Sequence, residues 1–191
     1  DLLGTFPLDR MAPDPVRVRE AARLLAEAER PLIIAGGGVH SSGAVDALVE
    51  LQESCALPVA TTVMGKGVVA ETHPLSLGVV GYFMGTNSRT RHQRKLVTEA
   101  DVVLLVGNRT NQNGTDSWQL YPRDARYIQI DIDGEEIGRN YEAEVRLLGD
   151  ARLALEALSA EMKTAGLNKR GGARKKLEAA IAGGKKKYEA E

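Results

Sequence analysis

The run Asp101-Val-Val-Leu-Leu-Val106, met at once by Gly107, limits the fold more than any other segment. Five consecutive apolar residues leave no polar side for water, so a strand here has to be covered on both faces. Strands inside a parallel sheet meet that condition, because their crossover helices lie on both sides. Four more segments read as strands: Pro31–Ala35, Pro58–Thr62, Arg126–Asp131 and Val145–Leu148. Helical spacing fills the gaps. Val18, Ala21, Ala22, Leu25 and Ala28 follow an Asp14-Pro15 start, which suits an N-cap and a first-turn proline. Val45, Leu48, Val49 and Leu51 form a stripe within 42–54, and Leu153, Leu155, Leu158 and Met162 form one within 150–163. Residues 86–99 are expected to form a helix with a basic face, and the glycine-rich stretch 63–85 a long irregular loop. This alternation predicts a doubly wound α/β fold: a mostly parallel sheet of five or six strands, helices on both faces, Rossmann-like.

Composition narrows the classes. The 25 Lys and Arg nearly balance 26 Asp and Glu, which argues against a nucleic-acid protein. The single cysteine, Cys55, excludes an internal disulfide framework and a cysteine-based zinc site. No apolar run approaches the ~18 residues of a membrane span. No basic-then-apolar leader is present, so the cytoplasm is the expected compartment. The charge is uneven: residues 163–191 carry nine Lys and Arg against three Glu, or +6, leaving −7 for 1–162. With four glycines after Gly166 and only Leu167, Leu177 and Ile181 as large aliphatics, this tail has little to bury and is expected to be mobile, or helical only against a neighbouring chain. Three divisions follow: a linker at 1–13, a nucleotide-binding-like domain at 14–163, and a basic linker or tail at 164–191.

In an open α/β sheet, ligands sit at the carboxyl ends of the strands. The residues there are Gly36-Gly37-Gly38, then Thr62, Val63, Met64 and Gly65, then Gly107, Asn108, Arg109, Thr110 and Asn111, then Asp131, Ile132 and Asp133, then Gly149, Asp150 and Ala151. Glycines let backbone N–H groups approach a phosphate, an arginine can pair with it in bidentate fashion, and a carboxylate after a strand can accept from a ribose or an adenine amine. The same glycines would equally serve tight strand-to-helix turns. The triple glycine is neither GxGxxG nor a Walker A loop. No GxSxG elbow is present. His40, His73 and His92 fall in predicted loops or on a basic helix face, where solvated or hydrogen-bonded side chains are the rule. Asp131 and Asp133 lack an obvious third metal ligand. No catalytic and no metal-binding residue is assigned.

Five blocks together carry a resemblance: Ile33-Ile-Ala-Gly-Gly-Gly38, Thr62-Val-Met-Gly65, Gly107-Asn-Arg109, Ile130-Asp-Ile-Asp133 with Glu136-Ile-Gly138, and Gly149-Asp150. In them, residues 14–163 resemble the central domain of thiamine-diphosphate-dependent enzymes, above all the acetolactate synthase large subunit and its relatives. The resemblance implies a six-stranded parallel sheet lying between two missing domains that hold thiamine diphosphate and magnesium between subunits of a homodimer or homotetramer. It further implies 2-oxo acid decarboxylation or carboligation in the parent. In such synthases the central domain binds FAD without a redox role in the main reaction. In oxalyl-CoA decarboxylases it binds ADP or part of CoA, and in other members nothing. Carried over, the cofactor contacts fall on Gly37, Thr62 to Gly65, Gly107 to Asn111, Asp131, Ile132, Asp150 and Ala151. Asn113 stands where the synthases have a second arginine, which shifts the expectation toward ADP or an empty cleft. Gly149-Asp150 is followed by Ala151, not by the glycine of the family's thiamine-diphosphate motif, and no counterpart of the catalytic glutamate is present. The chain therefore reads as a middle domain without catalytic motifs of its own. The alternative is a free-standing adenine-nucleotide module. A sirtuin-like deacylase lacks its histidine motif and its four cysteines here.

Overall fold

A computed structural model describes residues 9–167 and 171–191 of the 191-residue chain. Six parallel strands form one sheet in the order β3-β2-β1-β4-β5-β6. They are β1 Pro31–Ala35, β2 Val59–Thr61, β3 Ser76–Val79, β4 Val102–Val106, β5 Arg126–Asp131 and β6 Ala143–Leu148. The helices are α1 Pro15–Glu27, α2 Gly38–Ser41, α3 Val45–Cys55, α4 Arg94–Thr98, α5 Ala151–Thr164 and α6 Gly171–Glu189. Every residue of β1 and β4 is buried, as the apolar runs require. The pleat sends alternate residues to opposite faces. Ile33, Leu104, Ile128 and Val145 meet α1, α3 and α5 on one face. Leu32, Ile34, Val103, Leu105 and Tyr127 meet the material around α4 and α6 on the other. Among the described residues no helix is long and apolar enough to cross a membrane.

Three local expectations need correction. The stretch 63–85 is not wholly irregular: it contains β3, an edge strand interrupted by Gly78 at φ +78°. The helix expected over 86–99 shrinks to a 3-10 turn at Arg91–Gln93 and the five residues of α4. The basic tail is not loose over residues 171–189. It forms α6, which packs on its own chain through Ile181, 1% exposed, and Leu177. Two aliphatic anchors suffice because polar contacts hold the rest: Gln93 Nε2 donates to Ile181 O (2.8 Å), and Arg174 pairs with Glu53 (2.7 Å). The predicted linker 1–13 falls partly outside the described residues, at 1–8. Within 9–13, Arg10 pairs with Asp150 and Met11 O accepts from Asp150 N. Tail residues 168–170 also lie outside them.

Candidate functional site

Strand register brings the predicted residues to one edge. Gly36 N donates to Val106 O (2.8 Å), Thr62 N to Ala35 O (2.9 Å), Gly107 N to Ile130 O (2.9 Å) and Gly149 N to Asp131 O (2.9 Å). The loops that begin at residues 36, 62, 107, 131 and 149 therefore line up along the carboxyl ends of β2, β1, β4, β5 and β6. The chain reverses its winding between β1 and β4, the place where such sheets open toward ligand.

At that reversal the glycines are used for contact between backbones. A Cβ on Gly36 would lie 2.2 Å from Gly107 O, one on Gly38 2.6 Å from Gly107 Cα, and one on Gly65 2.3 Å from Ala35 O. Gly107 itself has φ +51°. These four positions admit no side chain because a neighbouring main chain occupies its place. Gly37 differs. A Cβ there would meet first the side chain of Met64, at 3.1 Å.

Outside this seam the edge is rimmed by apolar side chains that face water. Met64 is 72% exposed and Ile132 62%, and Val63 and Trp118 are also exposed. Arg109 stands exposed among the same loops, and no hydrogen bond or ion pair engages it among the described residues. Flat apolar surface around an unengaged guanidinium suits a ligand with a ring and an anionic group.

Several predicted ligand groups are already occupied. Asn108 is buried, accepts from Thr110 N (2.9 Å) and donates to the Tyr121 hydroxyl (3.3 Å). Asn111 Oδ1 accepts from Gly114 N (2.9 Å). Thr62 caps the turn that follows it by accepting from Gly65 N (3.1 Å). Asp131 accepts from Asp133 N (3.1 Å), and burial holds its carboxyl above the usual aspartate range against that stabilising bond. Asp150 caps α5, taking the N–H groups of Arg152 and Leu153, and also holds Ser42 (2.9 Å) and Arg10 (2.7 Å). Ala151 begins α5 and is buried. The Gly149-Asp150 pair thus builds a helix start, and its carboxylate is not free for a metal. Among the described residues no three His, Cys, Asp or Glu side chains converge on a metal position. The histidines are hydrogen-bonded: His40 faces Lys66 O at 3.0 Å, His92 pairs with Glu191, and His73 with Glu53.

Two supporting residues escaped the sequence reading. Gln129, 1% exposed, donates to Glu136 O (3.0 Å) and accepts from Gly138 N (2.9 Å), tying the loop after β5 to its strand. Strand periodicity places it on the same face as Asp131, a signal that was available. Asn140 donates to Thr110 Oγ1 (2.9 Å), across a sequence distance that no local pattern reveals.

The model of the family described as "Thiamine pyrophosphate enzyme, central domain" matches residues 18–158. This chain belongs to that family. The chain is 43% identical over 162 residues to a probable acetolactate synthase large subunit of Methanocaldococcus jannaschii, covering 85% of the chain and 26% of that protein. It is 37% identical over 160 residues to an oxalyl-CoA decarboxylase of Escherichia coli K12, covering 82% and 26%. It is 31% identical over 169 residues to a glyoxylate carboligase of Escherichia coli O157:H7, covering 87% and 28%. The chain thus spans about a quarter of the length of these curated relatives. All the edge loops of this central domain, from Gly37 to Ala151, lie inside the matched residues, whereas α6 lies outside them.

Proposed function

We propose that this central domain serves a parent enzyme that decarboxylates or joins 2-oxo acids, and that its carboxyl edge binds an adenine nucleotide, ADP or FAD. The names of the relatives support the first part: acetolactate synthase, glyoxylate carboligase and oxalyl-CoA decarboxylase. Arg109 carries the second part. It is an exposed cation without a partner among the described residues, set among the loops that carry Met64, Val63 and Ile132 at the strand ends. Gly37 leaves its side of the cleft open as far as Met64. Asp131 lies at the end reached by an adenosine. Thiamine diphosphate and magnesium would be held by N- and C-terminal domains of a dimeric or tetrameric parent, since Asp150 is committed to capping α5.

Calorimetric titration of ADP and FAD into the chain tests the reading. Charge-assisted hydrogen bonds contribute ~1.5–3 kcal/mol, so Arg109→Gln should weaken ADP binding about 10- to 100-fold. FAD should bind less well than ADP, because Asn113 offers no second cation. Equal affinity in the two proteins removes Arg109 from the site. Absence of binding by either nucleotide leaves the glycines with their packing role alone. Acetolactate formation from pyruvate, with thiamine diphosphate and magnesium supplied, should stay at the blank level for this chain. Turnover in a preparation free of the longer parent would refute the assignment of catalysis to other domains.

A further inference from the structure

A second cavity lies between the β3 edge and α6, bordered by Val63 and Lys66 of the loop after β2. It encloses 370 Å³, within the range of small-molecule sites. Leu77 and Val79 of β3, both buried, line it together with Phe83, which is 52% exposed, and Tyr188 of α6. Of the three cations in the lining, Lys66 is ion-paired, and Lys185 and Arg89 stand over the apolar residues. Lys185 donates to the carbonyls of Glu71 (2.7 Å) and His73 (3.4 Å) and has no carboxylate in ion-pair range among the described residues. Arg89 makes no hydrogen bond and no ion pair among the described residues. Burial holds the Lys185 ammonium below the ordinary lysine range; the charge of Glu71 opposes that shift and the charge of Arg89 adds to it. Of the acidic side chains in the lining, Glu71 is engaged by Lys66 (3.3 Å), and Glu189 pairs with neither cation.

We propose that this cavity binds a small amphipathic carboxylate, its hydrocarbon body against Leu77, Val79 and Phe83 and its head between Arg89 and Lys185. An anion placed there meets both cations, and a guanidinium matches a carboxylate with two parallel hydrogen bonds. Because Lys185 and Tyr188 belong to α6, an occupied site also clamps that helix to the domain. The proposal stands independently of the nucleotide reading.

Octanoate is the probe, titrated calorimetrically into the 191-residue chain, with octanol and acetate as separate arms. Octanoate should bind saturably, one per chain, at least 10-fold more tightly than either the uncharged chain or the bare anion. Arg89→Gln removes an exposed side chain that the fold does not use, and should weaken octanoate at least 10-fold. Phe83→Ala should weaken it several-fold. Octanoate should also slow amide exchange over residues 177–188. Equal affinity for octanoate and octanol, unchanged binding in Arg89→Gln, or no saturable binding would each overturn the proposal.

Discussion

The two faces of the sheet are built differently. On one, α1, α3 and α5 lie against Ile33, Leu104, Ile128 and Leu147 and seal them with Leu25, Leu48, Leu51, Leu155 and Leu158. The cover is long regular helix with an aliphatic stripe. On the other, the cover is assembled from short pieces, the five residues of α4, 3-10 turns and the loop carrying Leu120 and Tyr121, together with α6, a 19-residue helix that brings only Ile181 and Leu177 as aliphatic anchors. Tyrosines do much of the filling there. Tyr141 packs against Tyr121 and Tyr127 with ring centroids 5.4 and 5.1 Å away, and burial raises the pKa of all three phenols. Long helices cover a sheet by repetition of apolar side chains. Short pieces have to be tied down one by one with polar contacts, and they leave cavities between them.

Truncation on the helical face should have the largest effect. Leu155 is fully buried between α5 and the sheet. Leu155→Ala should lower global stability by ~2–5 kcal/mol in urea unfolding. Ile181→Ala on the other face removes a comparably buried anchor, but one on a terminal helix. It should raise amide exchange in α6 and change the urea midpoint far less. A global loss equal to that of Leu155→Ala would show that α6 belongs to the same cooperative unit and would erase the distinction between the faces.

Next comes the seam where the faces meet at the strand ends. Gly36→Ala places a Cβ against the Gly107 carbonyl, and neither backbone can retreat without shifting β1 or β4. A loss of about 1–3 kcal/mol is expected. Gly43→Ala serves as the control of opposite kind: no atom approaches within 4 Å there, and only its φ of +63° resists the change. If the two substitutions cost the same, the seam is not tightly packed.

Two buried polar side chains break the pattern of the aliphatic face, Ser159 of α5 and the larger Gln52 of α3. Gln52 of α3 is fully buried, and neither its Nε2 nor its Oε1 has a hydrogen-bond partner among the described residues. A buried amide left unsatisfied costs ~1–3 kcal/mol. Gln52→Met keeps the shape and removes the polar atoms, so it should raise stability by about 1 kcal/mol. A destabilised Gln52→Met would mean that the amide has a role this packing does not explain.

The same contrast explains what could be read in advance. β1 and β4 announce themselves by unbroken apolar runs, α1, α3 and α5 by their stripes, and α1 also by its cap Asp14. β3 could not be read from Ser76-Leu-Gly-Val79, because an edge strand needs only one partner and Gly78 carries no side chain. A count of aliphatic residues does not reveal α6, because its docking also uses the Lys185 ammonium, the Gln93 amide and Arg91 stacked on Tyr188 at 5.0 Å. At the strand ends, the positions of the glycines and of Arg109 follow from the pattern. Their use does not. Whether a glycine admits a phosphate or a neighbouring backbone depends on what packs beside it. The turns that consume the carboxylate of Asp131 and the amide of Asn108 are fixed only in three dimensions.

The smallest effect expected is on acidity, and it separates the faces without any truncation. Glu53 at the end of α3 joins Arg174 of α6 and His73, and Arg174 first and then His73 hold its carboxyl below the usual glutamate range. His73 donates through Nε2, because its Nδ1 accepts from Leu75 N at 3.1 Å. A carboxyl whose pKa is depressed in the folded state adds stability above its unfolded value, here near 4.5, and loses it as pH falls through the lower folded value. Among the described residues the contacts of α1, α3 and α5 with the sheet are aliphatic, and the carboxylates Asp150 and Glu50 cap α5 or join α3 to α5 instead of holding them to the sheet. Acid should therefore loosen α6 before it touches the helical face. In amide NMR spectra followed downward from neutral pH, resonances of residues 174–188 should move toward unfolded positions below pH 4.5 while those of 151–164 hold. Glu53→Gln should remove that step and weaken α6 protection already at neutral pH. The group is largely exposed, so the shift is modest and salt should reduce it. Simultaneous loss of both sets of resonances would mean that the polar ties are incidental and that α6 is held by Ile181 and Leu177 alone.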